Sequence, residues 1–253
     1  LPDLFFANER ERNISLKLQL NLIKFTFLGA CLLSSVVSVA AQSTIFNVPS
    51  TDVQAPGKVY LEGDFIMHYA SYRDGGFQTY GSRVVVGLPG KTEVGVNVYY
   101  TRARPGEPID LQPNFKWQFY ESEKLGLAFA TGVLISTPIT RRSLGNTYAQ
   151  LYVLGSKSFS GNYGPRVTFG GYRLVGTFDE DTDKTGVILG LEQPITRKVS
   201  FVTDWSSGNN DYGYVVAGIG IVPTPKSTFY AGYNFGNQGR GNNSLGAFYS
   251  YEF

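Results

Sequence analysis

Thr92-Glu93-Val94-Gly95-Val96-Asn97-Val98-Tyr99-Tyr100-Thr101 repeats with period two: Val94, Val96, Val98 and Tyr100 share one face, while Glu93, Asn97 and Thr101 share the other. Successive side chains of a strand point to opposite sides, so the stretch predicts a strand that is greasy on one side and polar on the other. A helix would scatter the same residues around its axis.

The period returns along the chain. Upstream, Val59, Leu61, Phe65 and Met67 oppose Tyr60, Glu62, Asp64 and His68, and Val84, Val86 and Leu88 oppose Arg83. Downstream, Leu111, Phe115, Trp117 and Phe119 oppose Asn114, Lys116 and Gln118, and Leu127, Phe129 and Val133 oppose Ala128, Ala130 and Gly132. Leu151 and Val153 then oppose Gln150 and Tyr152; Val167 and Phe169 oppose Arg166 and Thr168; Leu189 and Leu191 oppose Gly190 and Glu192; Phe201 and Trp205 oppose Asp204. Three more segments, Val215 to Ile221, Phe229 to Phe235 and Leu245 to Phe253, bring the total to about twelve, each close to the ~9–11 residues of a tilted membrane strand. Gly170-Gly171 is expected to mark a bulge.

The connections alternate in length. Tight turns are expected at Pro89 to Lys91, Glu121 to Lys124, Ser158 to Gly164, Thr196 to Lys198 and Pro223 to Lys226. Longer polar loops fill the other gaps, at Tyr72 to Phe77, Arg102 to Pro108, Ser136 to Asn146, Thr177 to Thr185, Ser207 to Asp211 and Gly236 to Asn243. A soluble sandwich gives no reason for that alternation, whereas an up-and-down barrel has short turns at one end and long loops at the other. Charge sets which face is inside. Turning Arg83 or Lys116 toward lipid at mid-depth would cost about 2–4 kcal/mol each, so the polar face points into the lumen. The expected fold is all-β, a transmembrane antiparallel barrel of about twelve strands.

Ahead of the strands, Lys17 and Lys24 precede an apolar run from Phe25 to Ala40 that ends in small residues before Gln42, the plan of a secretory signal peptide. Residues 1–41 are assigned to it, with 1–12 expected to lie upstream of the true start, because they are polar and Met67 is the sole methionine. Cys31, the sole cysteine, falls within the apolar run. The barrel portion therefore has no disulfide or cysteine metal site. Residues 42–57, broken by Pro49, Pro56 and Gly57, form either a periplasmic lead-in or a plug folded into the lumen, and 58–253 form the barrel.

With a net charge of +2 and no basic stripe, the chain has no footprint for nucleic acid. The inward face supplies the candidate lumen-lining residues: Glu62, Asp64, His68, Arg83, Glu93, Lys116, Arg166, Glu192 and Asp204. With Asp110 and Glu252 added, carboxylates outnumber the three basic groups, so a conducting lumen would weakly prefer cations. If the turn after Pro194 holds three residues, Asp204 faces Gly190 and lies diagonal to Glu192. An internal salt bridge from this carboxylate pair to Arg166, Arg83 or Lys116 is the favoured reading, over a bare constriction. His68 is the sole histidine, it faces inward, and the His-x-Ser spacing of an outer-membrane phospholipase is missing around it. No enzyme activity and no cofactor are assigned. Asp179, Glu180, Asp181 and Asp183 lack the Gly and Glu of an EF-hand and read as a solvated loop rather than a metal site. Tyr100, Tyr120, Trp205 and Tyr212 are expected in interfacial girdles.

The C-terminal Tyr249, Tyr251 and Phe253, spaced by two, resemble the assembly signal of bacterial outer-membrane proteins. That resemblance implies the barrel-assembly machinery, outer-membrane lipid and lipopolysaccharide as partners. More narrowly, Asn47-Val48-Pro49-Ser50-Thr51 with Gly57 and Glu62, Gly190 to Pro194, Asp204 to Asn209, and Gly232-Tyr233-Asn234 resemble a transporter-like family grouped with the MetA pathway of phenol degradation. The resemblance implies passive passage of a small solute and carries no catalytic residue. The alternative is a closed barrel whose loops, bearing Arg102, Arg104, Arg141 and Arg142, bind at the surface.

Overall fold

The computed structural model describes residues 43–161, 163–178, 180–239 and 243–253. The signal peptide expected over 1–41, and Gln42 and Asp179, lie outside them. Twelve strands follow in order: β1 (Val59–His68), β2 (Phe77–Leu88), β3 (Thr92–Arg102), β4 (Ile109–Ser122), β5 (Leu127–Pro138), β6 (Tyr148–Ser158), β7 (Arg166–Gly176), β8 (Thr185–Pro194), β9 (Val199–Ser206), β10 (Tyr214–Thr224), β11 (Ser227–Gly236) and β12 (Ser244–Glu252). Each is antiparallel to its sequence neighbours, and β12 closes the ring by pairing with β1. Gly63 of β1 sits between Tyr249 of β12 and Ser82 of β2. Closure satisfies every strand edge, the condition for a sheet to stand in hydrocarbon.

The two faces separate as the alternation dictates. Leu61, Val94, Trp117, Leu151, Phe169, Leu189, Ile219 and Leu245 are exposed on the outside, while Glu62, Glu93, Lys116, Gln150, Thr168 and Asp204 are buried within. An apolar surface that runs round all twelve strands far exceeds the few hundred Å² a soluble monomer tolerates; its solvent is lipid. Tyr100 and Tyr120 are exposed on that outer face, as an interfacial girdle requires.

One end of the barrel carries the connections 89–91, 123–126, 159–165, 195–198 and 225–226; the other carries 69–76, 103–108, 139–147, 177–184, 207–213 and 237–243. The connection after β6, the longest at this end, is folded back by a bond from Phe159 N to Pro165 O. The short-turn end is periplasmic by the rule for such barrels, and the chain enters there at Val59 and leaves at Phe253, whose N–H bonds Val59 O.

No bulge occurs at Gly170-Gly171, where pairing runs unbroken to β6 and β8. Gly170 serves close approach instead: a Cβ there would overlap the Val153 carbonyl and crowd the Leu154 side chain. The register breaks lie elsewhere, between Gln118 and Tyr120 of β4 and between Ile221 and Thr224 of β10. The first turns Phe119 and Tyr120 both outward, at 45% and 43% exposure.

The lumen is filled from within by the chain's own N-terminal segment. Ser43, Ile45, Phe46, Val48, Ser50, Thr51 and Gln54 are buried, and a bridge between Thr44 and Pro49 folds 44–49 into a tight loop. Ile45, Phe46 and Val48 join inward-facing Tyr152, Leu154, Tyr172, Leu174, Ile188, Val202, Val216, Tyr230 and Phe248 in one apolar cluster. Phe46 meets Tyr230 and Phe248 edge-on, with ring centroids 5.3 and 5.6 Å away. The lumen thus has an apolar side, β6 to β12, that the strand alternation alone does not reveal.

Gly87 marks where the segment passes the barrel wall. Gly57 N bonds Gly87 O and Gly87 N bonds Lys58 O, and a Cβ on Gly87 would overlap the carbonyl oxygens of Gln54 and Ala55. Gly87→Ala is therefore expected to push residues 54–57 off the wall, without touching the outer face. Limited proteolysis checks it: cleavage within 43–57 should accelerate in the variant, and an unchanged cleavage rate would refute the close-packing argument.

Candidate functional site

The polar side of the lumen, on β1 to β4, is built from ion pairs that the strand register sets up. Pairing places Glu62 of β1 opposite Arg83 of β2, and Glu93 of β3 opposite Lys116 of β4. Arg83 Nη1 stands 3.0 Å from Glu62, and Lys116 Nζ stands 2.9 Å from Glu93. Tyr60 donates to Glu62; Tyr99 donates to Asp64 at 2.7 Å and accepts from Arg83 Nη2 at 3.3 Å. Glu62, Arg83, Glu93 and Lys116 are thus each countered by a cross-strand neighbour, and further charge-assisted bonds are left to hold something else.

What they hold is the N-terminal segment. Glu93 accepts from Ser43 Oγ at 2.5 Å and from Gln54 N at 2.8 Å, and Lys116 donates to Ser43 O at 2.8 Å. Arg83 donates to Thr44 Oγ1 at 2.7 Å. On the opposite wall Arg166 of β7 grips Asp52 with two nitrogens, at 2.6 and 2.8 Å, and reaches Thr51 Oγ1 at 2.6 Å. Gln118 donates to Thr51 O at 3.1 Å.

Asp204 departs from the salt bridge expected of it. Its Oδ2 accepts three successive backbone N–H groups, from Phe46, Asn47 and Val48, at 2.8, 2.9 and 3.2 Å. Successive amides converging on one oxygen form an anion nest, and here the anion belongs to the barrel while the nest belongs to the segment. Asp204 does face Gly190, although the connection spans 195–198, and Glu192 pairs with Val202. Glu192 keeps only a long ion pair to Arg166, at 3.7 Å.

His68 stands apart at the long-loop rim, its Nδ1 on Asn243 O and its ring stacked on Phe77 at 5.8 Å. The other eight candidates line the lumen, and six of them, Glu62, Arg83, Glu93, Lys116, Arg166 and Asp204, belong to the pairs and bonds that hold the segment. The segment's own anchors, Ser43, Thr51, Asp52 and Gln54, are not among the candidates that strand alternation supplies. The available signal was compositional: Ile45, Phe46 and Val48 are too apolar for an exposed lead-in between strands and solvent.

Above the segment the lumen remains open. A cavity of about 340 Å³ is floored by Ser43, Thr44, Phe46, Asn47 and Pro49, and a second, of about 510 Å³, lies among the long loops. Asp110, Ser136, Tyr148 and Asp211 line both, which makes them the ring between loops and lumen. Tyr212 was expected in a girdle; it turns into this ring instead, edge-on to Tyr148 at 6.1 Å. Burial first, then Tyr148, pushes its hydroxyl well above the ordinary tyrosine value, so it stays neutral.

A closed twelve-stranded barrel with an apolar exterior and a charged, hydrogen-bonded interior is a bacterial outer-membrane β-barrel. Among solved structures, the KdgM porin superposes with a TM-score of 0.57 at 6% identity, covering 77% of this chain and 99% of the porin. The COG4313 outer membrane channel from Pseudomonas putida F1 superposes with a TM-score of 0.56 at 11% identity, covering 81% of this chain and 98% of the channel. No family model and no curated protein matches the sequence.

Proposed function

We propose that this barrel is an outer-membrane channel for the passive passage of a small solute, closed at rest by residues 43–56. One observation carries the reading: the lumen's obstruction is a chain segment held by side chains, not a part of the sheet. A segment held this way is removable without opening a single strand pair. The outer half of the lumen already offers a cavity of about 340 Å³ that communicates with the loops. Two structural neighbours of the same strand architecture are named as a porin and a channel.

The sequence likeness to the transporter-like family of the MetA pathway supports the same reading. The stretches that carry it include Asn47 to Thr51, Gly190 and Asp204, which meet where the segment is seated. In this reading the inward carboxylates and the ring at the loops set which solute passes.

Planar-bilayer recordings and liposome swelling test the proposal, on the wild type and on a variant lacking residues 43–56. The wild type is expected to conduct rarely, and the shortened protein continuously. Absence of conductance and of solute uptake in both, with the heat-dependent gel shift of a closed barrel intact, would leave the closed surface-binding barrel in its place.

A further inference from the structure

The ring between the two cavities has a chemistry of its own. The outer cavity is lined by the carboxylates of Glu107, Asp110, Asp181 and Asp211, and by no lysine or arginine among the described residues. Among the described residues Asp110 enters no ion pair, and the hydrogen bond Asp211 accepts is that of the Tyr148 hydroxyl, at 3.1 Å.

Aromatic rings stand beside these acids. Tyr148, Tyr212 and Tyr214 line the inner cavity directly below, together with the apolar Phe77 and Leu134; its one basic group among the described residues, Arg83, is neutralised by Glu62 at 3.0 Å and bonded to Thr44. The Tyr212 hydroxyl is buried against Tyr148, and its residue stands in the wall of the inner cavity.

From this arrangement we infer that the ring and the cavity beneath it form a binding site for a small organic cation, an aryl- or alkyl-ammonium compound entering from the loop side. Carboxylates attract the charge, and tyrosine faces favour a weakly hydrated ammonium over a strongly hydrated metal ion. A hard metal ion would want six or more oxygens, and among the described residues no three acidic, His or Cys side chains are placed together to hold a metal ion. The inner cavity, at about 340 Å³, has roughly twice the volume of the ~150 Å³ apolar cavity that admits benzene, enough for one ring and its substituent. The site adds a solute class to the proposed channel and rests on that reading only for passage; binding does not require the segment to move.

The experiment is calorimetric titration of the whole detergent-solubilised protein with benzyltrimethylammonium chloride, and with sodium phenylmethanesulfonate as the anionic counterpart. Saturable binding of the cation alone is expected, weakened tenfold or more in Asp110→Asn/Asp211→Asn, whose gel shift on heating should be unaltered. Asp211→Asn alone, in a loop outside the strands, should weaken it about threefold even where the double variant fails to assemble. No saturable cation binding by the wild type, binding by the double variant within twofold, or equal affinity for the sulfonate would overturn the assignment. Because no current is measured, a silent channel that still binds the cation would refute the passage reading and leave the site standing.

Discussion

Replacing Asp204 by alanine should convert a closed lumen into one that conducts for a large share of the time. The carboxylate receives the N–H groups of Phe46, Asn47 and Val48 on one oxygen. Hydrogen bonds to a charged acceptor contribute about 1.5–3 kcal/mol each, and three that share an oxygen are not additive. Even a combined loss of about 3 kcal/mol shifts the ratio of seated to released segment roughly 150-fold. The variant keeps every strand pair, since Asp204 joins the ladder only through its backbone. Two measurements check this: bilayer recordings should show a rise in open probability, and protease added to the short-turn side should cut within 43–56. Asp204→Asn is expected to fall between, because a neutral amide oxygen accepts the same bonds less strongly. If neither current nor cleavage changes in the alanine variant, the apolar seat of Ile45, Phe46 and Val48 suffices to hold the segment.

The second large effect is on stability. Glu93→Ala removes the partner of Lys116, whose side chain is 2% exposed, and leaves an ammonium in the wall with only Ser43 as acceptor. Removing one member of a buried ion pair costs about 3–5 kcal/mol, because the other charge stays desolvated. The same substitution deprives Gln54 N of its acceptor, so the segment loosens as the barrel weakens. Expected is a marked fall in the temperature at which the protein loses its fast-migrating form on gels. The companion Glu93→Ala/Lys116→Met should recover most of the loss, since it removes the stranded charge. A double variant as weak as the single one would mean that the pair holds the fold by its geometry and not by its charge balance.

The two variants separate the roles of the lumen charges. Glu62 with Arg83 and Glu93 with Lys116 tie adjacent strands and touch the segment secondarily, so their loss is read first in stability. Asp204 touches the segment and is paired to no base, so its loss is read in gating. Arg166 spans both descriptions: it clamps Asp52 of the segment and stands 3.7 Å from Glu192 of the neighbouring strand.

The twelve strands and the facing of their side chains were legible in the sequence because strand geometry is local. A period of two fixes which of Glu93 and Val94 points inward without reference to any other segment, and lipid enforces the answer on every strand. The pairing of Asp204 with Gly190 was readable for a related reason, since a short connection restricts the register of the strands it joins. What the two Gly170-Gly171 residues do was misread, because a glycine pair looks the same whether it relieves a bulge or admits a neighbouring side chain.

Only the tertiary structure decided the fate of residues 43–56 and of the charges that hold them. Sequence period is silent on a segment with no period, and Ile45, Phe46 and Val48 find their place through Tyr152, Val202, Val216 and Phe248, far along the chain. The same holds for the ring of Asp110, Tyr148, Asp211 and Tyr212, which a closed barrel assembles from strands and loops across its circumference. The alternation of side chains determines that a lumen exists and that it is polar. Which groups meet inside it depends on closure, because closure sets the distance between residues that no local rule relates.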